Sequence, residues 1–461
     1  MAQLIIVLSL AGLIFLAYKG MPVILFAPFF ALIAAATVFG GADLLPAYTE
    51  LFLPRLASFI KAYFPIFLLG AVFGKVMEDT GQAKSISHKI VQIFGVKRAI
   101  LAVVLSSSIL TYGGISVFVV VFSVYAFGCH LYKEAGIPKR LLPATIAFGS
   151  WTYCMDMIPG TPQIQNIIPT KLYGTTSYAA PTLSIVSAII LFGIGMTYFE
   201  FRRRQAQRKG EGYGDHTLNE PILIENETFP PFLASILPLL IVLVGNLVLT
   251  RYMLTWDAAH FASKYPGLVL NNVVGIWALT VSLCLAIIVS IAIGWKRVKP
   301  IGLGKMLYAG TLGSLLAVMN TASEVGYGGV VASLPGFSSI AKAFMNINAG
   351  GSPLLATAIS TTIISGVTGS SSGGLSVSIE VLGKHFVNWM NVTGTNPEVM
   401  HRIMAMASGG MDTLPHNGAV VTLLAYCGLT HKQAYMDIFA VTLMKTFVAF
   451  IAVGLATLGL H

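Results

Sequence analysis

The sequence predicts an all-α polytopic membrane protein made of two inverted-topology repeats, each of about five spans plus a re-entrant hairpin, with proline-broken helices at the midplane. Three observations predict it: the composition, an ordered recurrence of apolar segments, and the charge of the loops between them. Of 461 residues, 56% are hydrophobic and 10% charged, with mean hydropathy +0.79. Soluble domains carry about 25% charged residues, so this chain cannot coat a surface against water. Its apolar runs approach the roughly 20 residues a helix needs to cross a bilayer. A soluble enzyme, a disulfide scaffold and a disordered chain are excluded.

Apolar segments fall at 2–18, 22–40 and 59–77, followed by broken stretches at 99–132 and 141–170 and a span at 181–199. The run from Met1 has no basic n-region and no small-residue cleavage site, so it reads as a retained span rather than a signal peptide. A polar linker runs from Arg202 to roughly Glu227. The order then returns: spans at 231–252, 271–294 and 303–322, broken stretches at 352–390 and 398–428, and a last span at 434–457. Gly113-Gly114-Ile115-Ser116-Val117 matches Gly373-Gly374-Leu375-Ser376-Val377 in four of five positions, and Met155–Pro159 matches Met411–Pro415 in three. A weaker match pairs Glu78-Asp79-Thr80-Gly81 with Ser323-Glu324-Val325-Gly326. Three collinear matches at similar offsets indicate an internal duplication, with residues 1–200 and 231–461 as the repeats and 201–230 as the linker.

Charge orients the copies. Lys and Arg number 28 against 18 Asp and Glu, a net charge of +10. In a soluble protein that excess would suggest nucleic acid. Here the basic residues gather at Arg202–Arg204, Arg208 and Lys209, and at Lys296, Arg297 and Lys299, the bias of cytoplasmic loops, so no nucleic-acid partner is expected. With the linker cytoplasmic, the loops at 253–270 and 41–58 face outside. The stretch holding Lys84, Lys89, Lys97 and Arg98 faces inside; its counterpart at 323–351 has only Lys342. Matching elements therefore face opposite sides, as in the inverted repeats of many secondary transporters. Parity gives five crossings per half if 99–132 returns to the cytoplasm at Lys133, Lys139 and Arg140, and 352–390 dips in from outside. The hairpin tips then lie at Tyr112-Gly113-Gly114 and Thr368–Gly374, where non-helical backbone must be buried in protein or line a wet cavity. Two full spans for each hairpin satisfy parity equally.

The segments 141–170 and 398–428 are interrupted by Asp156-Met157-Ile158-Pro159-Gly160-Thr161-Pro162-Gln163 and by Gly409-Gly410-Met411-Asp412-Thr413-Leu414-Pro415-His416-Asn417. Proline removes a helical donor and glycine loosens the backbone, so each span splits into two half-helices. The N-terminus of the second half-helix suits an anionic group such as a carboxylate, and the freed carbonyls of the first suit a small cation. Asp156 and Asp412 stand where a carboxylate is expensive and usually functional. Their functional reading is cation coupling, as proton acceptor or sodium ligand; the alternative is that each caps the second half-helix. His416 either titrates near neutral pH or is a satisfied buried imidazole. Gln163, Gln165, Asn166 and Asn417 offer uncharged donors. Thr368, Ser370, Ser371 and Ser372, with Thr111, Tyr112 and Ser116 in the first half, add hydroxyls and backbone N–H groups that suit an anion, or else small residues for helix packing. Glu324, near the outer end of span 303–322, either lines the path or, like Glu78 and Asp79, is a solvated loop carboxylate. Cys129, Cys154, Cys284 and Cys427 show no C-x-x-C spacing and read as packing residues; no metal or cofactor is expected beyond the coupling ion, H⁺ or Na⁺.

The residues 155–166 and 408–419 resemble the gluconate:proton symporter family, most closely its branch of hydroxybutyrate-type permeases, and the resemblance covers nearly the whole chain. It implies a permease of the bacterial inner membrane that imports a small organic acid with protons. The wider ion-transporter superfamily implies scaffold spans at 1–77 and 231–322, mobile transport elements at 99–170 and 352–428, an elevator motion and a homodimer. The match to sugar-acid carriers proper is looser around both breaks.

The expectation is a secondary carrier for a small hydroxy or keto monocarboxylate such as 3-hydroxybutyrate, coupled to a cation, with gluconate or another sugar acid as the alternative. The guest's carboxylate would lie among Tyr112, Gly113, Gly114, Ser116, Gly160, Thr161, Gln163, Thr368, Ser370, Ser371, Ser372, His416 and Asn417, with Asp156 and Asp412 coupling the cation. A cation/proton antiporter needs no organic anion. An intramembrane aspartyl protease needs two carboxyls sharing a proton, and no helix-borne G-x-G-D motif is present; an ATP-driven pump lacks its phosphate loop.

Overall fold

A computed structural model describes residues 2–19, 21–221, 228–337, 339, 343, 351–415 and 417–461. The readings of His416 and Lys342 lie outside the described residues. Among the described residues every regular element is a helix.

The first half opens with α1 (Ala2–Tyr18), α2 (Val23–Phe39) and α3 (Leu53–Asp79). The charged stretch that follows is a helix, α4 (Gln82–Phe94), whose inward face is Gln82, Ala83, Ile86, Ser87 and Ile90. The chain then bends by 102° into α5 (Ala99–Tyr112). A short tip leads to α6 (Val117–Glu134), and then come α7 (Leu142–Ser150), a single turn at Tyr153–Asp156 and α8 (Ile164–Tyr173). The last helix of this half, α9 (Pro181–Arg208), runs past the expected end at 199 and takes in Arg202–Arg208. Glu200 explains the extension: it pairs with Arg203 and Arg204, three and four residues on, at 2.5 and 2.9 Å, and such pairs support an exposed helix.

The second half opens with α10 (Phe232–Met253), α11 (Leu270–Ile293) and α12 (Leu303–Ser333). Then come the hairpin α13 (Leu354–Thr368) and α14 (Ser371–Thr393), the broken pair α15 (Pro397–Gly409) and α16 (Gly418–Tyr426), and α17 (His431–Thr457). No helix runs through Pro159 or Pro415. Helix α12 extends well past 322, which corrects the loop reading of Glu324: it lies inside a helix at 6% exposure, not in a loop.

Packing sorts the helices into two sets, each drawn from both halves. In one, α3 lies along α12, α10 along α11, and α2 on α12. Close approach there needs small residues: a Cβ on Gly310 would stand 2.8 Å from the Cα of Val72. In the other, α5 packs on α7, α13 on α14 and α15, α8 on α15, and α17 on α7, α9 and α15. The sets meet where α12 touches α14 and α10 touches α4. Large apolar side chains, among them Leu4, Leu8, Leu233, Val244, Ile288 and Phe447, stand exposed on the outer faces, as lipid-facing helices require. Among the described residues five helices are long and apolar enough to cross a membrane, or up to seven if each bent pair is one span. Shorter apolar helices occur at Ala2–Leu13, Val23–Phe39 and Leu354–Gly366.

Candidate functional site

Where the two sets meet lies a cavity of about 520 Å³, within the range of about 300–1,000 Å³ usual for small-molecule sites. Four helix N-termini open on it, each through its cap residue: Ser116 before α6, Gln163 before α8, Ser370 before α14 and Asn417 before α16. The same number of residues separates Ser116 from Ser370 as Gln163 from Asn417. Each N-terminus carries about half a positive charge on its free N–H groups. Against them stand two carboxylates, Asp412 and Glu324, and among the described residues no lysine or arginine lines the cavity. The first packing set supplies further walls, from Ile66, Phe67, Gly70 and Ala71 of α3 and from Asn320 and Thr321 of α12.

The hairpin tips are formed by local geometry. Gly114 and Gly369 adopt φ of +93° and +64°, the left-handed region that turns each chain back without a Cβ clash. At the second tip Ser370 accepts from Gly373 N–H at 3.1 Å and starts α14. That cap draws Ser371–Gly374 into the helix, so the Ser/Gly run is not the loop expected. Gly113-Gly114 therefore belongs to a tip while Gly373-Gly374 lies in a first helical turn, and the two positions are not structural equivalents.

Each tip is bound to its own break. Tyr112 donates to Pro159 O at 2.9 Å and Gln163 Nε2 to Thr111 O at 2.8 Å. Across the other pair, Asp412 Oδ1 accepts from Ser371 N–H at 2.8 Å and from Asn417 Nδ2 at 3.0 Å. Asp412 thus caps the hairpin helix α14, not the half-helix after its own break; Asn417 caps that one, accepting from Ala419 N–H at 2.7 Å. Asp156 is differently placed. It is fully buried and paired with Lys445 Nζ of α17 at 2.5 Å. A Cβ on Gly409 would collide with the Asp156 carboxylate and the Lys445 ammonium, so the first break presses directly on the second. Helix α8 has no side-chain cap from Asp156.

Of the residues expected at the site, Gly114, Ser116, Gln163, Thr368, Ser370, Ser372, Asn417 and Asp412 line the cavity. Tyr112, Gly113, Gly160, Thr161, Ser371 and Asp156 do not. Tyr112 is engaged with the break, Gly113 packs under Leu239, Gly160 packs against Tyr178, and Ser371 shares its hydroxyl with Ser408 at 3.0 Å. Thr161 is buried behind the wall, and Asn166 donates to Thr161 O and Ser177 O at 2.8 and 2.9 Å rather than to the cavity. Two residues escaped the sequence reading. Arg402, fully buried, donates to Asp156 O at 2.7 Å, Asn166 Oδ1 at 2.9 Å and Ala179 O at 3.0 Å, holding carbonyls the break leaves free. Lys445 donates to Trp151 O at 2.7 Å besides pairing with Asp156. Both are lone cations in apolar runs, a signal as strong as that of the aspartates. Glu324, left between path and loop by a misplaced helix end, belongs to the wall.

The long apolar helices and their exposed apolar faces define a multi-pass membrane protein. The chain belongs to the family of the uncharacterized transporter YxjC of Bacillus subtilis strain 168, to which it is 44% identical over 472 residues, covering 99% of each protein. An uncharacterized transporter of Haemophilus influenzae is 29% identical over 182 residues, 38% of this chain and 40% of that one. Among solved structures the fold is similar to that of the Alcanivorax borkumensis YdaH transporter, at TM-score 0.58 and 14% identity over 90% of this chain and 89% of that one. No family model matches the chain.

Proposed function

We propose that this transporter is a secondary carrier of the bacterial inner membrane that imports a small organic monocarboxylate, of the 3-hydroxybutyrate kind, together with a proton. The observation that carries the reading is the convergence of four helix N-termini on one cavity. Their partial charges favour a carboxylate, and the hydroxyls and amides of Ser116, Gln163, Thr368, Ser370 and Ser372 provide partners for a hydroxyl or keto oxygen. Two carboxylates already face those N-termini, so an anionic guest overloads the cavity with negative charge. A cation taken up with the guest removes the excess, which is the electrostatic logic of symport. The resemblance of both breaks to gluconate:proton symporters points the same way.

The equal spacing of the four caps supports two repeats at 1–200 and 231–461, inverted in the membrane by the loop charges, with 201–230 as a cytoplasmic linker. The two packing sets support a scaffold and a sliding transport unit, working as an elevator in a homodimer. A cation/proton antiporter is the second reading, favoured by the two carboxylates and the lack of a basic side chain among the described residues of the wall.

Purified protein in a thermal-shift screen should be stabilised by short hydroxy or keto acids, since stabilisation follows occupancy. In proteoliposomes an inward proton gradient should drive accumulation of the same acid. Asp412→Asn is expected to abolish that accumulation and spare counterflow, because the cavity then balances the guest without a proton. Proton movement driven by sodium or potassium, with no acid required, would establish the antiporter instead.

A further inference from the structure

Three carboxylates lie in or beside the cavity, and their surroundings differ. Asp156 has a fixed counter-ion in Lys445. Asp412 has two donors, Ser371 N–H and Asn417 Nδ2. Glu324 has neither: its Oε2 is closed off without a hydrogen-bond partner, and the residue is 6% exposed on the cavity wall. It owes this position to Gly373 of α14, where a Cβ would take the space of the carboxylate.

Among the described lining residues no lysine or arginine faces Glu324. The cavity-lining residues of α3 (Ile66, Phe67, Gly70, Ala71) are apolar or small, and α2 contributes Val23. From the N-terminus of α14 the lining adds the hydroxyls of Ser370 and Ser372. Among the described lining residues Asp412 is the one other ionisable group, and it carries the same sign. A closed-off anion with no donor and no cation is among the most expensive arrangements in a protein. A single O–H bond removes the expense. No trio of metal-binding side chains occurs among the described residues.

We infer that Glu324 is the proton-binding carboxyl of this transporter. It takes a proton from water when the cavity is open, holds it as a carboxylic acid while the anionic guest is bound, and returns it to water on the other side. One O–H bond forms and the same bond breaks; nothing is oxidised or reduced. Gly373 is the positioning residue that lets α14 close over the acid. The inference deepens the proposed organic-acid symport, and its test separates the two.

Dicyclohexylcarbodiimide attacks protonated carboxyls in apolar surroundings and leaves a stable acylurea that mass spectrometry locates. With the full chain in lipid, Glu324 should be modified at acid pH and progressively spared as the pH is raised, equally in sodium and choline chloride. Glu324→Gln should carry no label at that peptide, and Gly373→Ala, which drives the carboxylate from its place, should lose most of it. Absence of modification at every pH, or protection by sodium at fixed pH, would overturn the assignment. In proteoliposomes, Glu324→Gln should keep exchange of labelled for unlabelled 3-hydroxybutyrate while its proton-driven accumulation falls more than about tenfold; unchanged accumulation would also overturn it. Wild-type protein inert toward 3-hydroxybutyrate, keto acids and gluconate alike would defeat the organic-acid reading and leave the carbodiimide result to decide Glu324.

Discussion

The ion pair between Asp156 and Lys445 shows why the two aspartates of similar motifs have different lives. Both follow Met and precede a proline by three residues, yet one faces a cavity and the other a lysine from the far end of the chain. Removing one member of a buried pair leaves a lone charge and costs roughly 3–5 kcal/mol. Lys445→Met should therefore lower the melting temperature sharply, and Asp156→Asn added to it should restore much of the loss. A double-mutant cycle by thermal unfolding measures the recovery, and strict additivity would deny the coupling. Asp156 was legible in the sequence as an unusual acid. Its partner was not, because 289 residues separate them and neither periodicity nor motif connects such a pair.

At the scale of elements, the apolar pattern marked both breaks, since proline and glycine act locally on the backbone. Helix ends were less legible. Arg202–Arg208 looked like linker because charge was taken as the end of the helix, whereas Glu200 and the arginines after it are a helix-supporting arrangement. The Ser/Gly run looked like a tip because its cap, Ser370, belongs to the same composition as the residues it caps. Caps are testable one at a time: Ser370→Ala or Asn417→Ala should cost about 1 kcal/mol each, and each should weaken binding of an acid found in the thermal-shift screen by loosening an N-terminus that faces it. If either variant binds that acid as the wild type does, the N-termini are not its anchors.

On the scale of the whole molecule, a charged cluster ties the linker to both halves. Arg140 bonds Glu211 at 2.7 and 2.9 Å and Asp437 of α17 at 2.8 Å, and Arg202 reaches Asp437 at 2.6 Å. Hydrogen bonds from Arg140 hold the Glu211 carboxyl below the ordinary carboxylate range. Its contribution to linker docking is therefore complete above that range and lost as the pH falls through the lowered value. Glu211→Gln should imitate acid at neutral pH, seen as faster protease nicking of the linker. Asp437 is nearly inaccessible, and Asp437→Ala should destabilise by roughly 3 kcal/mol, the low end for a buried pair because its arginines keep some water. Chemical unfolding of the full chain checks the value.

Helix α17 carries Lys445 as well as Asp437, and the ribosome delivers it after every other helix described. Until it inserts, the acid of the first break has been threaded into lipid with no counter-ion, and the carbonyls around Trp151 lack the ammonium that finishes them. Biogenesis is thus closed from the far end: an N-terminal product halted before residue 431 should be held by insertion chaperones or degraded, and supplying the missing C-terminal piece as a separate polypeptide should rescue it.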